Sequence, residues 1–448
     1  MTGSGGLDYA AAVRALADRG RFGVRLGLGR TRALLRELDD PQLRLRGALV
    51  AGTNGKGSVL ALCGSALRQA GLRVGETPKP HLVTYRERLQ IDGRPIAPDV
   101  FAALAERVLP LAGRVARRHG NPTEFELLTA MLFRWFADEA VEVALVEVGL
   151  GGRLDATHAW DGGVAVVTNV DLDHTDRLGS TIAAIAREKA AIIEAGDRAV
   201  TGATGEGLAV IARRAARVGA QLVVVEPAPL VTLDRDGIVV RLPRLGETRV
   251  GLRGRHQAAN VAVAHATLNA LEEAGIATVS DADRRAGFAA ARWPGRLELL
   301  SIDARDVLLD GAHNPAGAAA LATALDDLAP HLTPGPLTLV IAAMADKDVT
   351  GIVAALAAAD ALAGATVIGT RVDVPRALDP AVLAAAWPVD ARGTGAAAAR
   401  VLVEPDVAAA LNRALDESRG AVVVAGSLYL VGAVRALLVD DPLLRDPS

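Results

Sequence analysis

The sequence predicts an α/β protein in two parts. The first is an N-terminal P-loop-type, mainly parallel sheet with helices on both faces. The second is a smaller C-terminal Rossmann-like α/β domain. Three observations carry this expectation. Short apolar runs alternate with longer Ala/Leu/Arg segments of helical spacing, the pattern of strand–helix–strand units. A Gly-Lys-Gly-Ser turn joins one such run to one such segment. The alternation then restarts after Trp293-Pro294-Gly295, which sets the expected domains at 1–294 and 295–448. A chain of 448 residues is in any case too long for a single core.

The elements follow in chain order. The opening "MTGSGGLDYAAAVRALADRG" places Asp8, Arg14 and Asp18 before any long apolar run, unlike a signal peptide. "GALVAG" reads as a buried strand, and "GSVLALCGSALRQAG" as a helix stopped by Gly71. "VEVALVEVG", "GGVAVVTNV" and "RAVTGA" read as further buried strands, and "TIAAIAREKAAIIEAG" as a helix running to Gly196. Such alternation implies a mainly parallel sheet covered on both faces. "PLVTLDRDGIVVRLPRLGETRVGLRG" alternates in β fashion with turn residues, so it is expected to be antiparallel and to belong to the first domain. Beyond the boundary, "DVLLDGAHNP", "LTLVIAAMADKD", "ATVIGTRVD" and "AVVVAGSLYLVG" read as four more strands between Ala-rich helices.

Bulk properties exclude several classes. Hydrophobic residues are 51%, charged residues 23% and net charge is -3, which gives no reason to expect nucleic acid or membrane as partner. No uncharged apolar run reaches the roughly 18 residues of a membrane span. The single cysteine, Cys63, excludes an internal disulfide and fits a reducing cytoplasm.

The informative residues lie just after the strands, where open α/β sheets bind ligands. "LVAGTNGKGSVLAL" departs from the common ATP loop G-x-x-x-x-G-K-S/T. Only two residues separate Gly52 from Gly55-Lys56, and Gly57 stands between the lysine and Ser58. The context still suits phosphate: glycines let backbone N–H groups turn inward, and a helix N-terminus follows. Lys56 could reach the β- and γ-phosphates and Ser58 could ligate magnesium; the alternative is a plain glycine-rich turn. Glu147 ends the strand of "LVEVGLGGRLDATH". A carboxylate there is costly unless it is paired or binds metal, the alternative being a salt bridge with Arg153. "VVTNVDLDHTDRLGSTIAAIAREKA" carries Asp171, Asp173, His174 and Asp176, with Lys189 fifteen residues beyond the histidine on a helix beginning near Ser180. Taken alone, His174 reads as a loop residue and Lys189 as a solvated helix lysine.

With these residues in place the chain resembles the folylpolyglutamate synthase/dihydrofolate synthase family of the Mur ligase superfamily, ATP-dependent ligases that form amide bonds. The matching motifs are "AGTNGKGS", "KPHLVTYRERL", "PTEFELLTA", "VEVGLGGRLDATH", "LDHTDRLGSTIAAIAREKA", "GRHQAAN", "WPGRLE", "DGAHNPAG", "ADKD" and "GSLYLVG", in family order over roughly residues 25 to 435. The resemblance implies that Thr53, Asn54, Gly55, Lys56, Gly57 and Ser58 hold ATP phosphates, with Asn260, Arg296 and Asp310 at the nucleotide. It implies magnesium at Ser58, Glu147 and His174, and a carbamylated Lys189 as a further ligand. Lys56, His174 and Lys189 are the expected catalytic set. Arg25, Leu26, Gly27 and Leu28, Thr123, Glu124, Phe125 and Glu126, and Leu154, Asp155 and Ala156 would line a pteroate pocket. His313, Asn314, Lys347 and Arg376 would lie near the incoming L-glutamate.

The implied chemistry answers what receives the phosphate: the carboxylate of dihydropteroate or of a reduced folate. The resulting acyl phosphate would be attacked by the glutamate amine, in a site kept dry by two domains closing over a cleft. The chain is further expected to be cytoplasmic and monomeric. One departure stands out. The family usually has serine before the proline of "SPHL", contributing to the first metal site; here the stretch is "ETPKPHL", with Lys79 in that place. Two other readings compete. A muramyl peptide or cyanophycin-type ligase carries a sizeable domain ahead of the phosphate loop, whereas 51 residues precede Gly52 here. A silent ATP-binding regulatory protein would have no need of Lys56, Glu147, His174 and Lys189 together.

Overall fold

The computed structural model describes residues 6–22, 26–388 and 400–447. Arg25, expected at the substrate pocket, lies outside them. The chain forms two compact units: residues 1–227 with 259–288 and 442–448, and residues 228–258 with 289–441.

The first unit is built on β1 (Gly47–Ala51), β2 (Val74–Thr77), β3 (Gln90–Ile91), β4 (Arg94–Pro95), β5 (Val143–Glu147), β6 (Gly163–Val167), β7 (Arg198–Thr201) and β8 (Gln221–Val224). They form one sheet in the order 4-3-2-5-1-6-7-8. β1 runs parallel to β5 and β6, which flank it. Only β3 and β4 add antiparallel pairs, at one edge. Every residue of β1 and β5 is buried, as strands covered on both faces require. The chain leaves β1 toward β2 on one side and later returns to β6 on the other. The loops after β1, β5 and β6 therefore part at this switch point and leave a crevice.

The helix after β1, Lys56–Gln69, is buried continuously from Ser58 to Leu67, as its apolar sequence requires. The helix Glu124–Asp138 begins with a capping box. Thr123 accepts from the Glu126 N–H, and the Glu126 carboxylate accepts from the Thr123 N–H, satisfying donors that a helix start leaves orphaned. The helix Ile182–Ala190 stops short of the Gly196 expected from the sequence. Arg214 accounts for this: its guanidinium donates to the carbonyls of Ile193 and Ala191, so they need no helical partner.

The second unit corrects two expectations. Strands β9 (Leu230–Asp234), β10 (Gly237–Leu242) and β11 (Gly246–Val250) are antiparallel, as their alternation indicates. However, they belong to this unit and not to the first domain. Leu233 packs on the C-terminal core, Arg235 pairs with Asp306 and Arg255 with Asp327. The main sheet has six strands among the described residues, not four: β12 (Glu298–Ile302), β13 (Arg305–Leu309), β14 (Thr338–Ile341), β15 (Thr366–Gly369), β16 (Arg400–Val403) and β17 (Val422–Ala425), in the order 12-13-17-14-15-16. The two unexpected strands are its edges. Neither contains a buried residue, so neither carries the continuous apolar signal of the central four. "SLYLVG" is not strand but the start of the helix Leu428–Leu438, capped by Ser427. Among the described residues, no helix is long and apolar enough to cross a membrane.

Candidate active site

The turn between β1 and the helix Lys56–Gln69 is held from the loop after β6. The Asn169 side-chain oxygen accepts from the N–H groups of Thr53 (3.1 Å) and Asn54 (2.9 Å). The Thr53 hydroxyl exchanges bonds with the backbone of Asp171, and the Thr168 hydroxyl donates to the Asn54 carbonyl at 2.6 Å. Gly55 has φ 81°, and a Cβ there would collide with the amide oxygen of Asn260. Only glycine suits both conditions. Asn260, expected at the nucleotide, is thus beside the loop. Thr168 and Asn169 were not singled out from the sequence, although they stand in "VVTNV" directly after a strand.

Lys56 curls back on its own loop. Its ammonium donates to the carbonyls of Gly52 (3.0 Å) and Thr53 (3.1 Å) and lies 4.0 Å from the Glu147 carboxylate. Glu147 is 4% exposed. Its suggested partner Arg153 is bound instead to Glu188, at 2.9 Å. Ser58 is buried, and its hydroxyl makes no hydrogen bond among the described residues.

Lys79 reaches this same point. Its backbone N–H donates to the Glu147 carboxylate at 3.1 Å, and its ammonium donates to the Glu147 carbonyl. That ammonium also stands over the Phe125 ring, 4.6 Å from its centre, a favourable cation–π position. Burial pushes the Lys79 pKa down to about 8, against the opposing pull of Asp155 and Glu147.

A cavity of about 30 Å³ gathers Gly52, Thr53, Lys56, Gly149, Leu150, Asp173, His174, Leu178 and Lys189. Three residues far apart in sequence, Lys56, His174 and Lys189, are therefore brought together as expected. His174 has φ 49°, and its ring nitrogen is 3.9 Å from the Asp173 carboxylate. Lys189 is 5% exposed, and its ammonium makes no hydrogen bond or ion pair among the described residues. Burial drives its pKa down to about 7; the neighbouring charge of Lys56 adds to the shift and Asp173 opposes it. The expectation of a solvated helix lysine therefore fails.

The donors fit magnesium only in part. Glu147, Ser58 and His174 offer one carboxylate, one hydroxyl and one imidazole. Among the described residues, no three or more His, Cys, Asp or Glu side chains cluster to hold a metal. A magnesium ion that keeps waters and phosphate oxygens needs few protein ligands. Lys189 as an ammonium is no ligand, and Lys79 cannot replace the serine's oxygen.

A second cavity, of about 380 Å³, is lined by Gly20, Leu26, Thr123–Glu126, Gly149, Leu150 and Leu154–Ala156. Every described stretch expected at the pteroate pocket contributes to it; the Gly27 N–H donates to the Leu154 carbonyl at 3.3 Å, which ties the stretch up to Leu28 to its wall. Two of the carboxylates hold the walls. Asp155 accepts from the N–H groups of Gly149, Leu150 and Thr157 and from the Thr157 hydroxyl. Glu126 accepts from Thr123 and from Arg30 at 2.9 Å. The two cavities share Gly149 and Leu150 as lining residues.

In the second unit, Asp310 is buried and accepts from the N–H groups of Leu297 and Ala312. It lies with Arg296 around His256, whose pKa is lowered first by burial. His313 bonds the Gly311 carbonyl at 2.8 Å. Asn314 caps the helix Pro315–Leu328. Arg376 is exposed, 3.4 Å from Asp346, and Lys347 is half-buried.

Known proteins resemble this chain along most of its length. Residues 50–268 match the Mur ligase middle domain and 295–428 the Mur ligase glutamate ligase domain. The chain is 38% identical to the dihydrofolate synthase/folylpolyglutamate synthase of Mycobacterium tuberculosis, over 93% of this chain and 90% of that protein. It is 37% identical to a probable bifunctional folylpolyglutamate synthase/dihydropteroate synthase of Haloferax volcanii. That match covers 96% of this chain and spans half of the relative's length. Among solved structures, M. tuberculosis folylpolyglutamate synthase complexed with ADP superposes with a TM-score of 0.85 at 34% identity, over 97% of this chain and 100% of that one. E. coli FolC in complex with DHPP and ADP gives 0.80 at 29%, over 96% and 97%.

Proposed function

The chain belongs to the folylpolyglutamate synthase/dihydrofolate synthase family of the Mur ligase superfamily, and we propose that it uses ATP to join L-glutamate to the carboxylate of dihydropteroate, of reduced folates, or of both. One observation carries this reading: the pocket suited to a flat heterocycle and the phosphate-loop cavity share Gly149 and Leu150. A pterin seated between Leu26, Phe125 and Ala156 would send its carboxylate past these residues toward Lys56.

The chemistry follows from the residues. A carboxylate oxygen attacks the γ-phosphorus of ATP, ADP leaves, and an acyl phosphate forms. The amine of glutamate then attacks the acyl carbon, and phosphate departs with the original carboxylate oxygen. Backbone N–H groups of Thr53–Ser58 and the Lys56 ammonium, released from the Gly52 and Thr53 carbonyls, would neutralise the transferring group. Asn169 and Thr168 position that loop. Ser58, Glu147 and His174 would hold magnesium, which supplies charge neutralisation at the phosphates.

Lys189 suits carbamylation. An amine with a pKa near 7 is largely unprotonated just above neutrality and can attack carbon dioxide, losing a proton to give a carbamate anion. That anion would balance the charge of Lys56 and supply a metal ligand. Lys79, on Glu147, would add part of the positive charge that the first metal otherwise provides. Asn260, Arg296 and Asp310 are assigned to the nucleotide, and His313, Asn314, Lys347 and Arg376 to the incoming glutamate. The same reading makes the enzyme a cytoplasmic monomer, with Cys63 a buried thiol.

The test is to assay dihydropteroate and tetrahydrofolate separately with ATP, magnesium and labelled glutamate. Incorporation with at least one supports the reading and shows whether one or both activities are present. ATP turnover indifferent to both acids would defeat it.

A further inference from the structure

The first unit carries a larger groove that the ligation chemistry leaves unused. It has a volume of about 880 Å³ and lies between the helices Ile182–Ala190 and Gly205–Val218. Five arginines line it, Arg153, Arg187, Arg213, Arg214 and Arg217, against two carboxylates, Glu188 and Glu194. The carboxylates are already engaged. Glu188 pairs with Arg153 at 2.9 Å; Glu194 accepts from Arg214 and His158. The guanidiniums of Arg187, Arg213 and Arg217 have no hydrogen bond or ion pair among the described residues. An excess of three guanidiniums thus sits in a concave site, within a chain whose net charge is -3. Arg213 and Arg217 are also four residues apart on one helix face, where like charges repel unless an anion lies between them.

The groove adjoins both parts of the substrate site. Arg153, on its wall, precedes Leu154 on the wall of the heterocycle pocket. Leu178 lines both the groove and the phosphate-loop cavity. A folate that already bears several γ-linked glutamates must still bring its terminal carboxylate to Lys56. The intervening residues are then slack chain, and each carries one free α-carboxylate. Guanidinium is the side chain best matched to carboxylate, through paired N–H bonds.

We propose that this arginine-lined groove binds the γ-linked oligoglutamate tail of an elongated folate through its α-carboxylates, an inference that rests on the ligase reading above. Affinity then rises with tail length over about the first three added residues, one for each unpaired guanidinium. It falls with salt, because the groove is open and its charges are screened within roughly 10 Å at 0.1 M ionic strength.

Free γ-linked tetraglutamate, without ATP or folate, should bind the wild-type chain in calorimetry, and the triple variant R187Q/R213Q/R217Q at least tenfold more weakly. All three side chains are exposed, so an unchanged melting temperature should accompany this. In ligation assays, the ratio of KM for monoglutamyl to triglutamyl folate should be at least tenfold in wild type and near one in the variant. Tripolyphosphate is the control for a phosphate site. The proposal fails if tetraglutamate does not bind, if the variant binds it equally, or if tripolyphosphate binds and tetraglutamate cannot displace it. Absence of any ligation would overturn the ligase reading instead, leaving the binding experiment to decide on the groove.

Discussion

Replacing Lys189 by methionine should stabilise the protein while abolishing ligation. Lys189 is nearly fully buried and its ammonium forms no ion pair among the described residues; its pKa is lowered from 10.5 to about 7. The unfolded chain therefore binds a proton more tightly than the folded chain. Each pKa unit corresponds to about 1.4 kcal/mol, so a shift of this size costs at most about 5 kcal/mol of stability below neutral pH. Relaxation around a buried charge makes the effective penalty smaller than this bound, and we expect a gain of roughly 2–3 kcal/mol for Lys189→Met at about pH 6. The sign fixes the pH dependence. The cost is full below pH 7, shrinks as pH rises from 7 to 10.5, and vanishes above that. Urea unfolding in carbon-dioxide-free buffer at about pH 6, 8 and 10 measures this directly. Bicarbonate should then stabilise wild type but not the variant, because a ligand that reacts only with the folded lysine shifts the equilibrium. No gain at about pH 6, or a gain constant across the range, would refute the reasoning.

Three further outcomes follow from the site. Lys56→Ala should leave the melting temperature near wild type and reduce ligation by at least 100-fold, about the loss expected when one charge-stabilising donor is removed; wild-type-like turnover would remove the phosphate-loop assignment. Lys79→Ser should shift the magnesium dependence of ligation to lower concentration, since it removes an ammonium from Glu147; superimposable titrations would place Lys79 outside the site. Asp155→Ala should raise KM for the pterin substrate more than KM for ATP and cost about 1–3 kcal/mol of stability, because the buried N–H and hydroxyl of Thr157 lose their acceptor. Equal effects on both KM values would count against its role in the pocket wall.

The parts of the fold legible in the sequence are those written in local pattern. The central strands announce themselves as apolar runs because both of their faces are covered, and the phosphate loop announces itself through glycines between a strand and a helix. The edge strands β12 and β16 do not, since half-exposed strands lack that run. The placement of β9–β11 was also hidden. Their alternation specifies antiparallel pairing, but which core receives Leu233 and which partner receives Arg235 are tertiary facts. The site shows the same division. Lys56 and Glu147 stand just after and at the end of a strand and are legible on that ground. His174 and Lys189 read alone as a loop residue and a solvated helix lysine and take a role only through the family resemblance. Thr168 and Asn169, which act on the loop through side-chain bonds to its backbone, are not legible. The early end of the helix Ile182–Ala190 depends on Arg214, more than twenty residues away from the carbonyls it satisfies.

The central claim is that a pterin-linked carboxylate crosses the Gly149–Leu150 passage and is phosphorylated in front of Lys56. Heavy-oxygen labelling of that carboxylate tests it most directly. With ATP, magnesium and glutamate present, one labelled oxygen should appear in each inorganic phosphate released, in step with amide formation, because the acyl phosphate surrenders that oxygen when the amine attacks. Label retained wholly in the amide product or the unreacted acid, with unlabelled phosphate released, would contradict it.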